Sequence, residues 1–164
     1  IMGSGLSQLL RGTGDAEKPF DPVWPAQSGL EVPGDAKSLS AVDLNSDGRV
    51  DFVVGLNDES PEVFVNETAA AGGNHPLVVR LAYSAGNPTA VGSRVTVKAG
   101  NLPLQSVEVS AGGGYLSQSG TDSIFAVPEG LEIAVEVAVR WPDGKVSRQK
   151  IEPSAKFVSI KRQL

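Results

Sequence analysis

The chain has 164 residues, of which 40% are hydrophobic and 20% charged, so it is long enough for one ordinary domain or two small ones with a buried core. It contains no cysteine, which excludes disulfides and thiolate metal sites, and its net charge of -5 makes nucleic acid a poor partner. No stretch approaches the roughly 18 apolar residues of a membrane helix, so we expect no membrane span.

The charge is unevenly distributed along the chain. Residues 1–75 carry 12 acidic and 4 basic side chains, giving -8, whereas residues 76–164 carry 7 acidic and 10 basic ones, giving +3. This asymmetry indicates two modules with different surfaces. We place their boundary within Ala69–Gly73, so that the modules are residues 1–72 and 73–164.

Short strands are predicted along the first half of the chain. Leu6–Leu10 and Phe20–Trp24 are expected to be the remnant of a hairpin. Leu39–Val42, Phe52–Val54 and Glu62–Val65 are apolar runs around one acidic loop. They show little alternation, which predicts strands buried on both faces, as in a propeller blade.

The second half shows the period-two alternation of half-buried strands. The clearest case is Glu132–Trp141, which is followed by the turn residues Pro142, Asp143 and Gly144. The predicted strands are Leu77–Tyr83, Val91–Ala99, Gln105–Val109, Ile124–Val127, Glu132–Trp141, Lys145–Glu152 and Phe157–Ile160. We therefore expect an all-β chain of low helix content, in which a partial propeller-blade hairpin with a calcium loop precedes a small antiparallel β-sandwich or barrel.

The strongest chemical motif is the nonapeptide from Asp43 to Asp51, which places side-chain oxygens at positions 1, 3, 5 and 9 and a glycine at position 6. Calcium takes six to eight hard oxygen ligands, which a short loop supplies by folding around the ion. Three carboxylates balance the charge, and Gly48 permits the sharp turn. The predicted calcium ligands are Asp43, Asn45, Asp47 and Asp51 through their side chains and Arg49 through its main-chain carbonyl.

The motif is not an EF-hand, because that loop needs a glutamate at position 12 and Val54 stands there, between strand-like flanks. Magnesium suits it less well, since that ion keeps more water and demands stricter geometry. The alternative is a polar surface turn, which also favours Asp, Asn and Gly.

Both halves resemble known families. The stretch LSAVDLNSDGRVDFVVGLNDESPEVFVNE (39–67) resembles the FG-GAP or VCBS repeat of integrin-like propellers. The stretches NHPLVVRLAYSAGNPTAVGSRVTVKAG (74–100), VEVSAGGGYLSQS (107–119) and VAVRWPDGKV (137–146) resemble the ASPIC/UnbV domain. That domain follows such repeats in cartilage acidic protein and its bacterial relatives.

The resemblance implies a secreted, periplasmic or cell-surface protein with calcium in the repeat, and it implies no known reaction. Missing propeller blades of the same chain would then be a partner, and adhesion to a protein or carbohydrate would be the role. One departure is the stretch IFAVPEG (124–130), where the family usually has phenylalanine-glycine-leucine-glycine.

The residue types of common catalytic sites are scarce. His75 is the single histidine, and it precedes Pro76 at a predicted strand start, which favours a structural role. Ser117 and Ser119 have no nucleophile-elbow glycines around them. No catalytic residue is predicted, and the chain is not expected to be an enzyme.

Three other features favour structural explanations. Trp141 is expected to close a core at a strand end, although it could present an aromatic ring to a sugar. Gly112–Gly114 is expected to be a break in a strand, and Asn66–Thr68 is a glycosylation sequon that often occurs by chance. The basic side chains of the last strands usually mark a solvated face, but they could dock the acidic surface of the missing blades.

Two functional hypotheses follow. The first is a calcium-binding extracellular adhesion or ligand-binding module, the C-terminal part of a larger protein. The second is a non-catalytic accessory domain of a secreted enzyme or biosynthetic complex. Upstream Asp-x-Asn-x-Asp-Gly repeats would favour the first, and an upstream catalytic domain the second.

Overall fold

A computed structural model describes residues 7–32, 34–69, 72–84 and 86–162. Within these ranges the chain is all-β, with one helix, α1 (Pro25–Ser28). No helix of the described part has the length and apolar character needed to cross a membrane. The strands are β1 (Leu9–Gly12), β2 (Phe20–Val23), β3 (Ala36–Val42), β4 (Asp51–Leu56), β5 (Glu62–Phe64), β6 (Asn74–Ala82), β7 (Arg94–Lys98), β8 (Gln105–Glu108), β9 (Ser123–Pro128), β10 (Val135–Arg140), β11 (Val146–Ile151) and β12 (Phe157–Lys161).

Every predicted run overlaps a strand, but several ends differ from the prediction. The strand predicted over Glu132–Trp141 is β10, which begins at Val135, and Ile133 before it is 61% exposed. Val91 lies in a turn before β7 rather than in the strand. Leu6 lies outside the described residues, and the predicted first hairpin is the antiparallel pair of β1 and β2.

The second half is a sandwich of two sheets. One sheet has the order β11-β10-β7-β8 and the other the order β12-β6-β9. Within the described residues no ladder joins the two sheets into a closed barrel. The prediction of a wholly antiparallel sandwich is wrong in one place, because β12 pairs with β6 in parallel. The chain leaves β11 in one sheet and crosses to the other, where β12 runs in the direction of β6.

The core lies between the inner faces of these sheets. Alternate residues along each strand point inward, as the pleat requires, and the burial of β10 follows this alternation. Trp141 is fully buried directly after β10, where its ring stacks on Tyr83 with centroids 5.8 Å apart, so its predicted core position is confirmed. The buried apolar residues include Leu77, Val79, Phe125, Val127 and Ile160 from one sheet and Val95, Val97, Val135, Val137 and Val139 from the other.

The first half is more open than predicted. It holds the sheet β3-β4-β5, in which Val54 is the one buried apolar side chain among the described residues, while Leu39 and Val63 are 51% and 53% exposed. The expectation of burial on both faces is therefore wrong for this sheet. A three-stranded sheet buries both faces only when other layers cover them, and no further propeller blade covers it within the described residues.

Residues 70 and 71, inside the predicted boundary, lie outside the described residues, and the division into two modules stays a prediction.

Candidate functional site

The acidic loop connects β3 to β4, as expected for a hairpin loop. Two of its residues adopt left-handed backbone conformations, Ser46 at φ 61° and Gly48 at φ 81°. Such φ values let a chain reverse direction within a few residues, and glycine adopts them without steric strain. The loop therefore folds back on itself between Asp43 and Asp51.

Asp43 lies at the centre of this fold. Its Oδ1 accepts a hydrogen bond from the Asp47 N–H at 3.0 Å, and its Oδ2 accepts one from the Gly48 N–H at 2.8 Å. The Asn45 Oδ1 accepts from the same Asp47 N–H at 3.1 Å. The Asp43 and Asn45 oxygens thus converge on one point of the loop.

The Asp47 carboxylate is hydrogen-bonded to Asn45 and Arg49, its near neighbours in sequence. Its Oδ1 accepts from the Arg49 N–H at 2.8 Å, and its Oδ2 lies 2.8 Å from the Asn45 Nδ2 and 2.6 Å from the Arg49 Nη2. Burial raises the pKa of the Asp47 carboxyl, but these hydrogen bonds and the Arg49 charge outweigh it, so its pKa lies below the usual value. Asp47 is therefore ionised at neutral pH, with part of its charge already neutralised.

Asp51 has a structural role that the sequence did not reveal. The residue is fully buried, and its Oδ2 accepts from the Leu44 N–H at 2.7 Å while its Oδ1 accepts from the Asn66 N–H at 2.8 Å. The Arg49 Nε donates to the Asn66 carbonyl at 2.7 Å. Asp51 and Arg49 thereby tie the loop to the segment after β5.

The donor set fits a hard cation such as calcium, since it consists of three carboxylates, one amide oxygen and one main-chain carbonyl. Each carboxylate oxygen that accepts one N–H keeps a second acceptor position. Among residues 7–32, 34–69, 72–84 and 86–162, however, no three His, Cys, Asp or Glu side chains converge in an arrangement that would hold a metal. Metal ligation by Asp43, Asn45, Asp47, Arg49 and Asp51 stays a prediction.

The loop packs directly on the C-terminal sandwich. A Cβ atom at Gly48 would lie 2.6 Å from the Pro76 Cγ and 3.6 Å from the Val78 Cγ2, both on β6. A second contact joins β3 to the segment before β9, where the Gly120 N–H donates to the Ala41 carbonyl at 2.8 Å and the Ser119 Oγ accepts from the Ala41 N–H at 3.1 Å. The acidic loop is thus part of the joint between the two halves.

We expect Gly48→Ala to destabilise the protein more than an alanine at an equivalent but open glycine. Gly144 is the matched control, because its φ is 80° and nothing lies within 4 Å of its added Cβ. Gly144→Ala should show the left-handed strain alone, about 1–2 kcal/mol, whereas Gly48→Ala adds the clash with Pro76. Urea unfolding of both variants measures the difference, and equal losses would contradict the contact with β6.

A cleft of about 580 Å³ lies beside the same joint, between the β3–β4 part of the first sheet and the loop around residues 113–119. Its volume lies in the usual range of small-molecule sites. Its walls are mainly apolar, and serine side chains and Tyr115 also line it. The residues around it include Leu9, Leu30, Leu39, Phe52, Tyr115 and Ser117.

The structure also places the other residues considered from the sequence. His75 is buried on β6, with its Nδ1 3.6 Å from the Glu129 Oε1. Ser119 binds the β3 backbone, and Ser117 makes an isolated bridge with Gly114 within the predicted glycine break. Asn66 belongs to the acidic-loop network through its backbone.

Comparison with protein families gives a match to most of the second half. The family model described as ASPIC and UnbV matches residues 83–163, which are 81 of the 164 residues and span β7 to β12. No curated protein matches the chain. The ASPIC/UnbV part of the resemblance is therefore confirmed, while the FG-GAP/VCBS part rests on the residues of the loop and its flanks.

Proposed function

We propose that this chain is a non-catalytic binding module of an exported protein, in which a calcium ion stabilises the joint between an acidic hairpin and an ASPIC/UnbV domain. The observation that carries the proposal is the seating of the acidic loop on β6, through the contact of Gly48 with Pro76. An ion bound within this loop would fix the conformation of the residues around Gly48 that pack on the sandwich.

The electrostatics of the loop support a cation. Asp43, Asp47 and Asp51 lie within nine residues, and Arg49 is the one basic residue between Asp43 and Asp51. Arg49 pairs with Asp47 alone, which leaves the Asp43 charge without a cationic partner in the described part of the chain. A divalent ion would supply the missing charge and satisfy the remaining oxygen acceptor positions.

Calcium is expected to raise the melting temperature, because a ligand that binds only the folded state stabilises it. At a hundredfold excess over the Kd the gain is about 2.7 kcal/mol, and for this length that corresponds to roughly 5–10 °C. Differential scanning fluorimetry with calcium and with EDTA measures it. Isothermal titration calorimetry showing no uptake at millimolar calcium would contradict the proposal.

Asp47→Ala should abolish the calcium effect, since it removes one of three anionic ligands. Glu67→Ala is the matched control, because Glu67 is an exposed acid outside the loop whose removal gives the same change in net charge. The control should keep the full calcium response. Magnesium at the same concentration should give a smaller shift than calcium.

An accessory domain of a secreted enzyme or biosynthetic complex is the second candidate. The match to ASPIC and UnbV over residues 83–163 favours it. Such a domain next to a separate acidic module is suited to an accessory role, in which another part of the protein or complex carries out the reaction. A broad hydrolase screen of the isolated chain should show no turnover under both proposals. Activity that appears only with a partner protein would favour the accessory role.

A further inference from the structure

The open side of the sandwich carries an unpaired strand edge. β11 pairs with β10 and with no other strand among the described residues, so one side of its backbone is free. A groove of about 350 Å³ lies beside it, lined by Val139, Gln149, Ile160 and Lys161 among others. Free N–H and C=O groups at a sheet edge are a template for a further strand.

Two of the exposed side chains on this edge are basic and form no ion pair within the described residues. On β11, Ser147, Gln149 and Ile151 lie beside the inward Val139, Val137 and Val135, so Arg148 and Lys150 point to the outer face. Both are exposed, and within the described residues neither forms an ion pair, although Lys150 stands opposite Glu136. The spacing of Arg148 and Lys150 is that of alternate residues on a strand, about 6.8 Å.

The neighbouring strand adds to the positive charge. Arg140 on β10 stands directly opposite Arg94 on β7, and like charges in that position are destabilising. Arg94 is paired with Glu108 at 3.0 Å, while Arg140 is exposed and has no ion pair among the described residues. Arg162, in contrast, is already engaged with Asp143 at 3.0 Å. Arg140, Arg148 and Lys150 thus offer positive charge on the outer face of this sheet, and the exposed Lys161 adds to it at the groove.

We propose that β11 binds an acidic polypeptide segment as an additional strand, with carboxylates at alternate positions opposite Arg148 and Lys150. Opposite charges in cross-strand pairs stabilise a sheet. The residues between the carboxylates would lie beside Gln149 and Ser147 over the groove, where valine could contact Val139 and Ile160 among lining side chains that are otherwise mostly polar.

The strand edge distinguishes a polypeptide from other polyanions. A polysaccharide or nucleic acid has no row of N–H and C=O groups at strand spacing, whereas a polypeptide matches both the edge and the alternating charges. Basic side chains on an edge strand also discourage pairing with other strands. The basic side chains therefore disfavour pairing with apolar or basic strands. An acidic strand would instead be attracted to the same charges.

This inference names a partner class for the binding module proposed above, and it rests on that proposal only for the non-catalytic role. The two fail separately, because the acidic loop packs on β6 in the opposite sheet. Asp47→Ala should remove the calcium response and leave peptide binding unchanged.

A labelled ten-residue peptide of alternating glutamate and valine tests the inference by fluorescence anisotropy at low salt. Three comparison probes are used, namely a peptide of the same composition with contiguous glutamates, the alternating peptide with alternate backbone nitrogens methylated, and a sulfated polysaccharide. The alternating peptide should bind most tightly. Methylation should weaken it, because it keeps the charges and removes backbone donors.

Arg148→Glu combined with Lys150→Glu should weaken peptide binding about tenfold or more, since two attractive cross-strand pairs become repulsive. Lys18→Glu combined with Lys37→Glu is the matched control, with the same change in net charge on exposed residues of the first half. Circular dichroism checks that both variants fold. Equal binding of the methylated peptide, or binding of the polysaccharide without the peptide, would overturn the inference.

Discussion

Trp141→Ala is expected to lower the free energy of unfolding by about 3–5 kcal/mol, the loss typical of a large aromatic side chain removed from a core. Trp141 is fully buried, and its ring stacks on Tyr83 at an interplanar angle of 17°. Its Nε1 donates to the Ser147 Oγ at 2.9 Å. The substitution therefore leaves a cavity, a ring without its partner and a hydroxyl without its donor at the end of β10.

Chemical denaturation of the wild type and the variant gives this difference directly. Trp24→Ala is the control, because Trp24 is the other tryptophan of the chain and is 55% exposed. Its loss should stay below about 1 kcal/mol. Trp141→Phe should fall between the two, since phenylalanine keeps an aromatic ring to stack on Tyr83 but loses the hydrogen bond and part of the buried volume. A loss for Trp141→Ala no larger than that for Trp24→Ala would contradict the core described above.

Asp51→Ala is expected to destabilise the protein by about 2–6 kcal/mol, because it leaves two backbone N–H groups without acceptors, each worth about 1–3 kcal/mol when buried. The donors are Leu44, which lies within the loop, and Asn66, which follows β5. Asp51→Asn should cost less, since its amide oxygen still accepts one of the two hydrogen bonds.

Measuring the Asp51→Ala variant without calcium separates a structural role of Asp51 from a role as a metal ligand. If Asp51 served only as a metal ligand, the variant would match the wild type in EDTA. We expect the loss in EDTA to persist, because the hydrogen bonds to Leu44 and Asn66 need no ion. Asp35→Ala is the control for removing a carboxylate, since Asp35 is exposed and pairs only with the equally exposed Lys37. It should change stability by less than about 0.5 kcal/mol.

Asp51 also shows why the candidate site could be predicted only in part. The spacing from Asp43 to Asp51 predicts which side chains share the loop, since a nonapeptide with glycine at its turn brings its ends together. It does not predict Asn66, which follows another strand and reaches the loop only because β5 pairs with β4. Nor does it predict that Arg49 would neutralise Asp47.

The amino-acid sequence by itself determined the strands, the acidic loop and the ASPIC/UnbV character of the second half. Alternation along Val135–Arg140 is a local consequence of the pleat, so it is visible without knowing what the strand pairs with. The tertiary structure alone decided the parallel pairing of β12 with β6, the seating of Gly48 on Pro76 and the exposure of the first sheet. These features depend on contacts between residues far apart in the chain, and a periodic pattern specifies which face is apolar but not which surface covers it.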